Sequence, residues 1–585
     1  MDVTPARHDT AITQVATVAR LSRRAALRRL VSAGSILLLA ACAQQPPAPA
    51  PTATLPPSGQ AASAAKPTEA PVKPAEAAKP AAPAATTAPA AAPTAVPTPA
   101  AAAAKPAAQP KSGGTLRVGQ VGDIARIDGH LVNAIDTAWI AFDRLTAYDE
   151  KLQPQPMLAE SWDVSSDFNQ IKLNLRKGVQ FHTGRELTSE DVQWNILHVR
   201  DPKIAAGALI LQSSWFTGIE TPDKNTIILT SEQPRPAVFD FFEFFNIIDP
   251  VTAQGPDATT KYVGTGPFAF AEWVQGASLR FFRHKNYWQS GKPYLDEIVV
   301  TIMRDAQSTV TQLESGALDV VIAPAVQDFA RLRADPKYRG HTVPANTQVI
   351  GANTLRAPTD NKLFRQALNH ALDRKRIVET AFAGTGVPQS LLWLDTSEAF
   401  EPARREFYTY DIDKAKSLVS QAGATDTELE IVISTATPEY VGVSQIFQFD
   451  LQKIGIKANV KSYEPAGYLD QINNAKYTGT YAGSSAYASM MPVTRIANSR
   501  HLDPSGKSNT GYKSDKYTEL YNKLSIEPDA ARRKQLYGEL NDLFLDESAV
   551  MPICMASARM LTRAAVQDIG LSQHGAFLYN GAWIE

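Results

Sequence analysis

An α/β fold of two or more lobes is predicted for most of the chain, on three observations. The alternating run Thr115-Leu116-Arg117-Val118-Gly119, directly after the break Ser112-Gly113-Gly114, reads as a first strand. Helix and strand patterns then alternate through residues 411–462. The 473 residues from 113 to 585 also exceed what one hydrophobic core usually accommodates. No internal repeat of solenoid period occurs.

The 585 residues carry 58 Lys+Arg against 59 Asp+Glu, which gives no sign of nucleic-acid affinity. Two cysteines, Cys42 and Cys554, exclude a disulfide framework and a cysteine-rich zinc site. Residues 1–42 read as a signal peptide, because the basic stretch Arg20–Arg29 precedes an apolar run, Leu30–Ala41, too short to span a bilayer. Leu39-Ala40-Ala41-Cys42 resembles a bacterial lipobox, which implies a lipid on Cys42. Ser22-Arg23-Arg24-Ala25-Ala26-Leu27-Arg28 looks like a twin-arginine signal, but Ala26 stands where a large apolar residue is usual, leaving the ordinary secretory route open. Residues 43–112 contain 28 Ala and 17 Pro, a composition that cannot build a core and suits a disordered, extended stalk. The remaining 113–585 carry a net charge of −8.

Within the folded part, Thr188 through Asp191 resembles a capping box with Asp in place of Glu, followed by Val192, Ile196 and Val199 on one face. Leu363, Phe364, Ala367, Leu368, Ala371 and Leu372 form an apolar helix face, with Arg365, Asn369 and Asp373 expected on the opposite or flanking surface. Asp411 is placed to cap a helix carrying Ala415, Leu418 and Val419, and Gly423 to end it. A strand over Leu429–Ile433, a helix over Val443–Ile454 and a strand over Lys457–Ser462 follow. Two further helices are predicted over Ser514–Leu524 and Asp529–Leu545.

Catalytic and metal chemistry is sought without result. No two of the nine histidines stand at i, i+4, and no cofactor is implied. His182 reads as a partner-bonded turn histidine. Gly264-Thr265-Gly266-Pro267-Phe268 lacks a third glycine and has Pro267 where a phosphate loop would enter a helix, so a tight turn is expected. No Gly-x-Ser-x-Gly elbow occurs, and Cys554 sits in an apolar run that favours an inert thiol. A tethered exported hydrolase would need a nucleophile–base pair, and the sequence supplies none.

The positive signal is a set of blocks. They include Pro156 to Ser165, Leu175 to Val192, Val263 to Phe268, Asn286-Tyr287-Trp288, Gly316 to Asp319, and Arg365 to Arg374. Together they resemble family 5 solute-binding proteins, the peptide- and nickel-binding receptors of ABC importers. That resemblance implies a type II periplasmic-binding-protein fold, with two α/β lobes joined by a strand hinge and closing over ligand. It places lobe one at 113–345 with an inserted subdomain about 155–262, lobe two at 346–545, and a return to lobe one over 546–585. It further implies a monomeric, extracytoplasmic receptor for a peptide, or for a nickel chelate, opine or sugar, that works with membrane permease subunits and is not an enzyme.

Peptide-binding members carry a Trp-x-x-Asp-Tyr-like stretch whose Asp pairs with the ligand's ammonium. The matching stretch here, Tyr481 to Pro492, has no acid, and none occurs between Asp470 and Asp503. An ammonium buried there would go uncompensated, which favours a neutral or anionic ligand. Ser484, Ser485 and Tyr487 offer hydroxyls, and Arg495 offers a carboxylate or phosphate fork unless it is a solvated surface residue. Trp139, Trp215, Trp273 and Trp393 are candidates for the cleft wall or the core, and Trp162 for the core.

Overall fold

The structure, a computed structural model, describes residues 109–585 apart from 125, 131–134, 205, 259 and 486–487. Residues 1–42, expected to form a signal peptide, with Cys42 and nearly all of the Ala/Pro-rich tract, therefore lie outside the described residues.

Among the described residues the main sheet has eleven strands. Its centre is the antiparallel pair Tyr338–Ala352 and Val550–Arg563, in register from Tyr338 opposite Arg563 to Gly351 opposite Val550. On one side of this pair Thr115–Val121 lies between Glu297–Met303 and Val320–Ile322, parallel to both. On the other, Glu428–Ser434 runs parallel to Lys457–Tyr463 and Thr480–Ser485. The inner parallel strands Thr115–Val121, Glu428–Ser434 and Val320–Ile322 bury apolar side chains, while the edge strand Lys457–Tyr463 is largely polar.

Each side has its own core. In the first half, Leu116, Val118, Ile298 and Val300 pack with Phe268, Phe281 and, from the C-terminal segment, Phe577 and Tyr579. In the second, Ile350, Ile431 and Ile433 pack beneath Phe364, Leu368, Phe447 and Leu451. A four-stranded antiparallel sheet, from Ala159–Val164 to Thr226–Ser231, has a third core with Phe241 and Phe242. Trp162 packs against that core, its ring 5.3 Å from Phe239.

The caps act as their residue types dictate. Asp191 accepts from the Thr188 N–H at 2.9 Å, Asp411 from Lys414 N–H at 2.8 Å, and Asp529 from Arg532 N–H at 2.7 Å. The helix expected from Val443 begins earlier, at Glu439, because Pro438 can precede a first turn without an N–H. Arg365 and Asn369 correct the sequence reading: both are buried. Arg365 donates to the Glu547 carbonyl at 2.8 Å and pairs with its carboxylate at 2.9 Å, while Asn369 bonds Ser548. Polar residues on this helix thus cap the C-terminal end of its neighbour, Ala530–Glu547, rather than facing water.

Gly264 to Phe268 is a turn locked from several sides. The Gly264 N–H donates to His182 Nδ1 at 3.3 Å, which puts the ring proton on Nε2, 3.0 Å from the Gly266 carbonyl. Burial pushes the His182 imidazole down to about 3, so it stays neutral. His284 also reaches the Gly266 carbonyl, at 3.1 Å. Nearby, buried Asp143 accepts from Trp288, Tyr287 and Thr265. A Cβ on Gly266 would lie 2.4 Å from the carbonyl carbon of Ala141 and 2.6 Å from the nitrogen of Phe142, backbone atoms that cannot step aside. Gly266→Ala is therefore expected to lower stability by about 3 kcal/mol, read as a shifted urea midpoint.

Candidate ligand-binding site

A cavity of about 520 Å³ opens where the two halves meet. Its floor is the central strand pair, through Asn346 and Gln348 on one strand and Ser557 and Arg559 on the other. That pair carries two register shifts, between Pro344 and Asn346 and between Gln348 and Val349. Bulges re-aim side chains locally, and here they coincide with the cavity-lining positions. The second half contributes Phe382, Thr437, Glu439, Tyr440 and Ser484; the first contributes Ile322 and the segment His574–Phe577.

Charge enters as one pair. Arg559 Nη2 lies 3.1 Å from Glu439 Oε1, and Arg559 Nε donates to the Pro324 carbonyl at 3.3 Å. Arg559 thus joins a turn of the first half to a helix start of the second. Burial pulls its guanidinium below the ordinary value, while Glu439 holds it up. Beside the pair, the Tyr440 hydroxyl lies near the Ser484 side chain on the same wall, and burial pushes this phenol up to about 12. His574 Nδ1 is 2.6 Å from Ser489 Oγ, and its Nε2 lies 3.2 Å from buried Glu243. Gln348 is buried, and its Oε1 has no partner among the described residues.

The sequence-derived candidates separate in space. Ser484 lines the cavity. Ser485 is buried beneath it, 3.1 Å from Ser499 Oγ. Tyr487 lies outside the described residues. Arg495 is neither at the surface nor on the cavity wall: it is fully buried and donates to Thr347 Oγ1 at 2.7 Å, to the Ser485 carbonyl at 3.1 Å, to Ser485 Oγ at 3.3 Å and to the Leu392 carbonyl. Burial drives its guanidinium down to about 9. Trp393 is a core residue whose indole N–H donates to Asn541 at 2.7 Å. Trp139 is buried behind the wall, its ring 3.4 Å from the Arg144 guanidinium carbon and 6.4 Å from the His574 ring. Trp215 and Trp273 stack on Arg235 and bond Asp123 respectively, away from the cavity. Cys554 is buried in the second core, and burial pushes its thiol up to about 12.

Residues 153–500 match the sequence profile of bacterial extracellular solute-binding proteins, family 5 (middle region). The chain belongs to this family. It is 30% identical to heme-binding protein A of Haemophilus influenzae over 57% of this chain and 66% of that protein. To di/tripeptide-binding protein 1 of Pseudomonas aeruginosa it is 26% identical, over 74% of this chain and 87% of that protein. Among solved structures, that of AgaA with agropinic acid, from A. tumefaciens R10, is similar with a TM-score of 0.68 and 24% identity, covering 81% of this chain and 99% of the other. This family 5 protein has the type II periplasmic-binding-protein fold. It is an extracytoplasmic solute-binding receptor of an ABC importer.

Among the described residues Arg495 has no carboxylate partner, so its four acceptors hold it in place. Arg495→Met would take a donor from two carbonyls and from the Thr347 and Ser485 hydroxyls, leaving the Leu392 carbonyl only its 2.8 Å bond from Thr347, and is expected to cost about 2–4 kcal/mol of stability in denaturant unfolding. Retained stability with lost ligand affinity would instead return Arg495 to the binding role.

Proposed function

We propose that the receptor captures a small organic solute, neutral overall or zwitterionic, in this cavity, and that the two halves part about the central strand pair to admit it. The observation that carries this reading is the Glu439–Arg559 pair on the cavity wall. A purely anionic ligand drawn to Arg559 would leave a largely buried Glu439 uncompensated, and a purely cationic one would do the same to Arg559. A ligand with both charges, or with none, leaves neither stranded. The acid missing from residues 481–492 is thereby supplied from a different element, so a peptide or amino-acid derivative becomes admissible. Gln348 Oε1 calls for a donor from such a ligand, and Ser484 and Tyr440 add hydroxyls. Contacts from both halves exist only when the cleft is shut, so binding shifts the equilibrium toward the form a permease reads. The protein works as a monomer held to the membrane by a lipid on Cys42, with the Ala/Pro-rich tract as its stalk.

Three experiments test this. Denaturing the purified protein and analysing what it releases by mass spectrometry is expected to yield a neutral or zwitterionic organic molecule; a released polyanion would refute the charge argument. Glu439→Gln and Arg559→Gln are each expected to weaken binding of that molecule by roughly tenfold or more in calorimetry. Cys42→Ser is expected to move the protein from the membrane to the soluble fraction and to abolish incorporation of labelled palmitate.

A further inference from the structure

Beyond the cavity, a second set of contacts crosses the cleft. Ala488 to Thr494, of the second half, reaches onto the helix Val238–Phe244 and onto the C-terminal segment. Met490 is buried in the core of the four-stranded sheet. The Met491 N–H donates to Asp240 Oδ2 at 3.0 Å, and buried Thr494 lies close to the same carboxyl. Ser489 meets His574, which itself lines the cavity. The anchor beneath this segment is unusual. Asp240 and Glu243, one turn apart on one helix, are both buried.

The groups facing Asp240 can be followed element by element. Glu243 shares its helix. From strand Thr146–Tyr148, the Tyr148 hydroxyl donates to Asp240 Oδ1 at 2.9 Å. Buried Arg144 spends its charge on Glu243, at 3.1 Å, and His574 also faces Glu243. From the helix Ala530–Glu547 comes the field of Tyr537. No guanidinium or ammonium pairs with Asp240 among the described residues. Its hydrogen bonds come from a phenol and from one backbone N–H belonging to the other half.

We propose that Ala488–Thr494 is a proton-responsive latch across the cleft, and that Asp240 is the positioning residue that sets how readily the cavity opens. This rests on the reading that the halves part about the central strands. In the shut form, burial pushes the Asp240 carboxyl up to about 7, the hydrogen bonds from Tyr148 and Met491 oppose the rise, and Glu243 adds to it. With Met491 and Thr494 withdrawn and water admitted, the carboxyl falls back toward about 4. Shutting therefore takes up a proton between these values. The contribution to closure is complete at low pH and is lost as pH rises through about 7.

Amide hydrogen exchange on the ligand-free full chain reads the latch directly. After correction for intrinsic rates, protection over residues 488–495 is expected to fall roughly threefold or more between about pH 5.5 and about pH 8, since linkage permits up to tenfold per pH unit. Asp240→Asn, which keeps shape but cannot ionise, is expected to flatten that dependence. Ser489→Ala, which leaves Asp240 in place, is expected to lower protection at both pH values and keep the dependence. A wild-type profile flat with pH, or one that Asp240→Asn leaves unchanged, overturns the proton response. Protection equal to the core in every variant and at both pH values would sink the opening of the cleft itself, and with it the closure reading on which the latch rests.

Discussion

Every feature of the binding region depends on one backbone constraint, the shared run of Tyr338–Ala352 and Val550–Arg563. Between them the two strands are bonded to both halves: Tyr338–Ala352 to Thr480–Ser485, and Val550–Arg563 to Val320–Ile322. Breaking the pair would cost more than a dozen ladder positions at once, so relative motion of the halves must be absorbed by twist and at irregular points. The two register shifts supply such points, because a bulge leaves backbone groups outside the ladder and bends its strand. They also explain why polar Asn346 and Gln348 can sit mid-sheet and still face the cavity.

The same region separates two uses of buried arginine. Arg495, Arg374 and Arg365 spend their donors largely on carbonyls of their surroundings, where a fork of five N–H groups ties several chain segments together. Their cost is desolvation, evident in guanidinium values drawn downward in all three. Arg559 differs because a carboxylate from another element faces it on the wall of an open cavity. A pair that can be reached by a solute can exchange partners with it. An arginine enclosed by carbonyls cannot do so without unfolding its setting.

Much of the fold was legible in the sequence, since apolar period and capping chemistry are local. The helix capped by Asp411 and the strands near 429 and 457 lie where the pattern puts them. The site was less legible. Glu439, Arg559, Gln348 and His574 come from four elements separated by up to 226 residues, and no spacing rule joins them. Ser484 was within reach of sequence reasoning because it ends a strand next to the central pair. Arg495 misled for a physical reason: a short amphiphilic stretch shows that an arginine is near a strand end, but not whether carbonyls or water will receive it.

The blocks that mark the family turn out to be structural, and this accounts for the gap between recognising the receptor and knowing its cargo. His182, Gly264, Gly266, Tyr287 and Trp288 converge on one locked turn and on buried Asp143, none of them on the cavity wall. Burial pushes the Asp143 carboxyl up to about 6, and its three donors hold the other way. Such a cluster tolerates little change, since losing one donor leaves a buried acceptor short. The polar part of the cavity wall is under no such mutual constraint: Gln348, Glu439, Ser484 and Arg559 come from a bulged floor and from helix and strand ends and belong to neither core, although Phe382, Tyr440 and Phe577 beside them do. A scaffold fixed by its turns and a pocket free at its rim can serve different solutes with one hinge. The ligand must therefore be read from Glu439, Arg559 and Gln348, not from the blocks that identify the family.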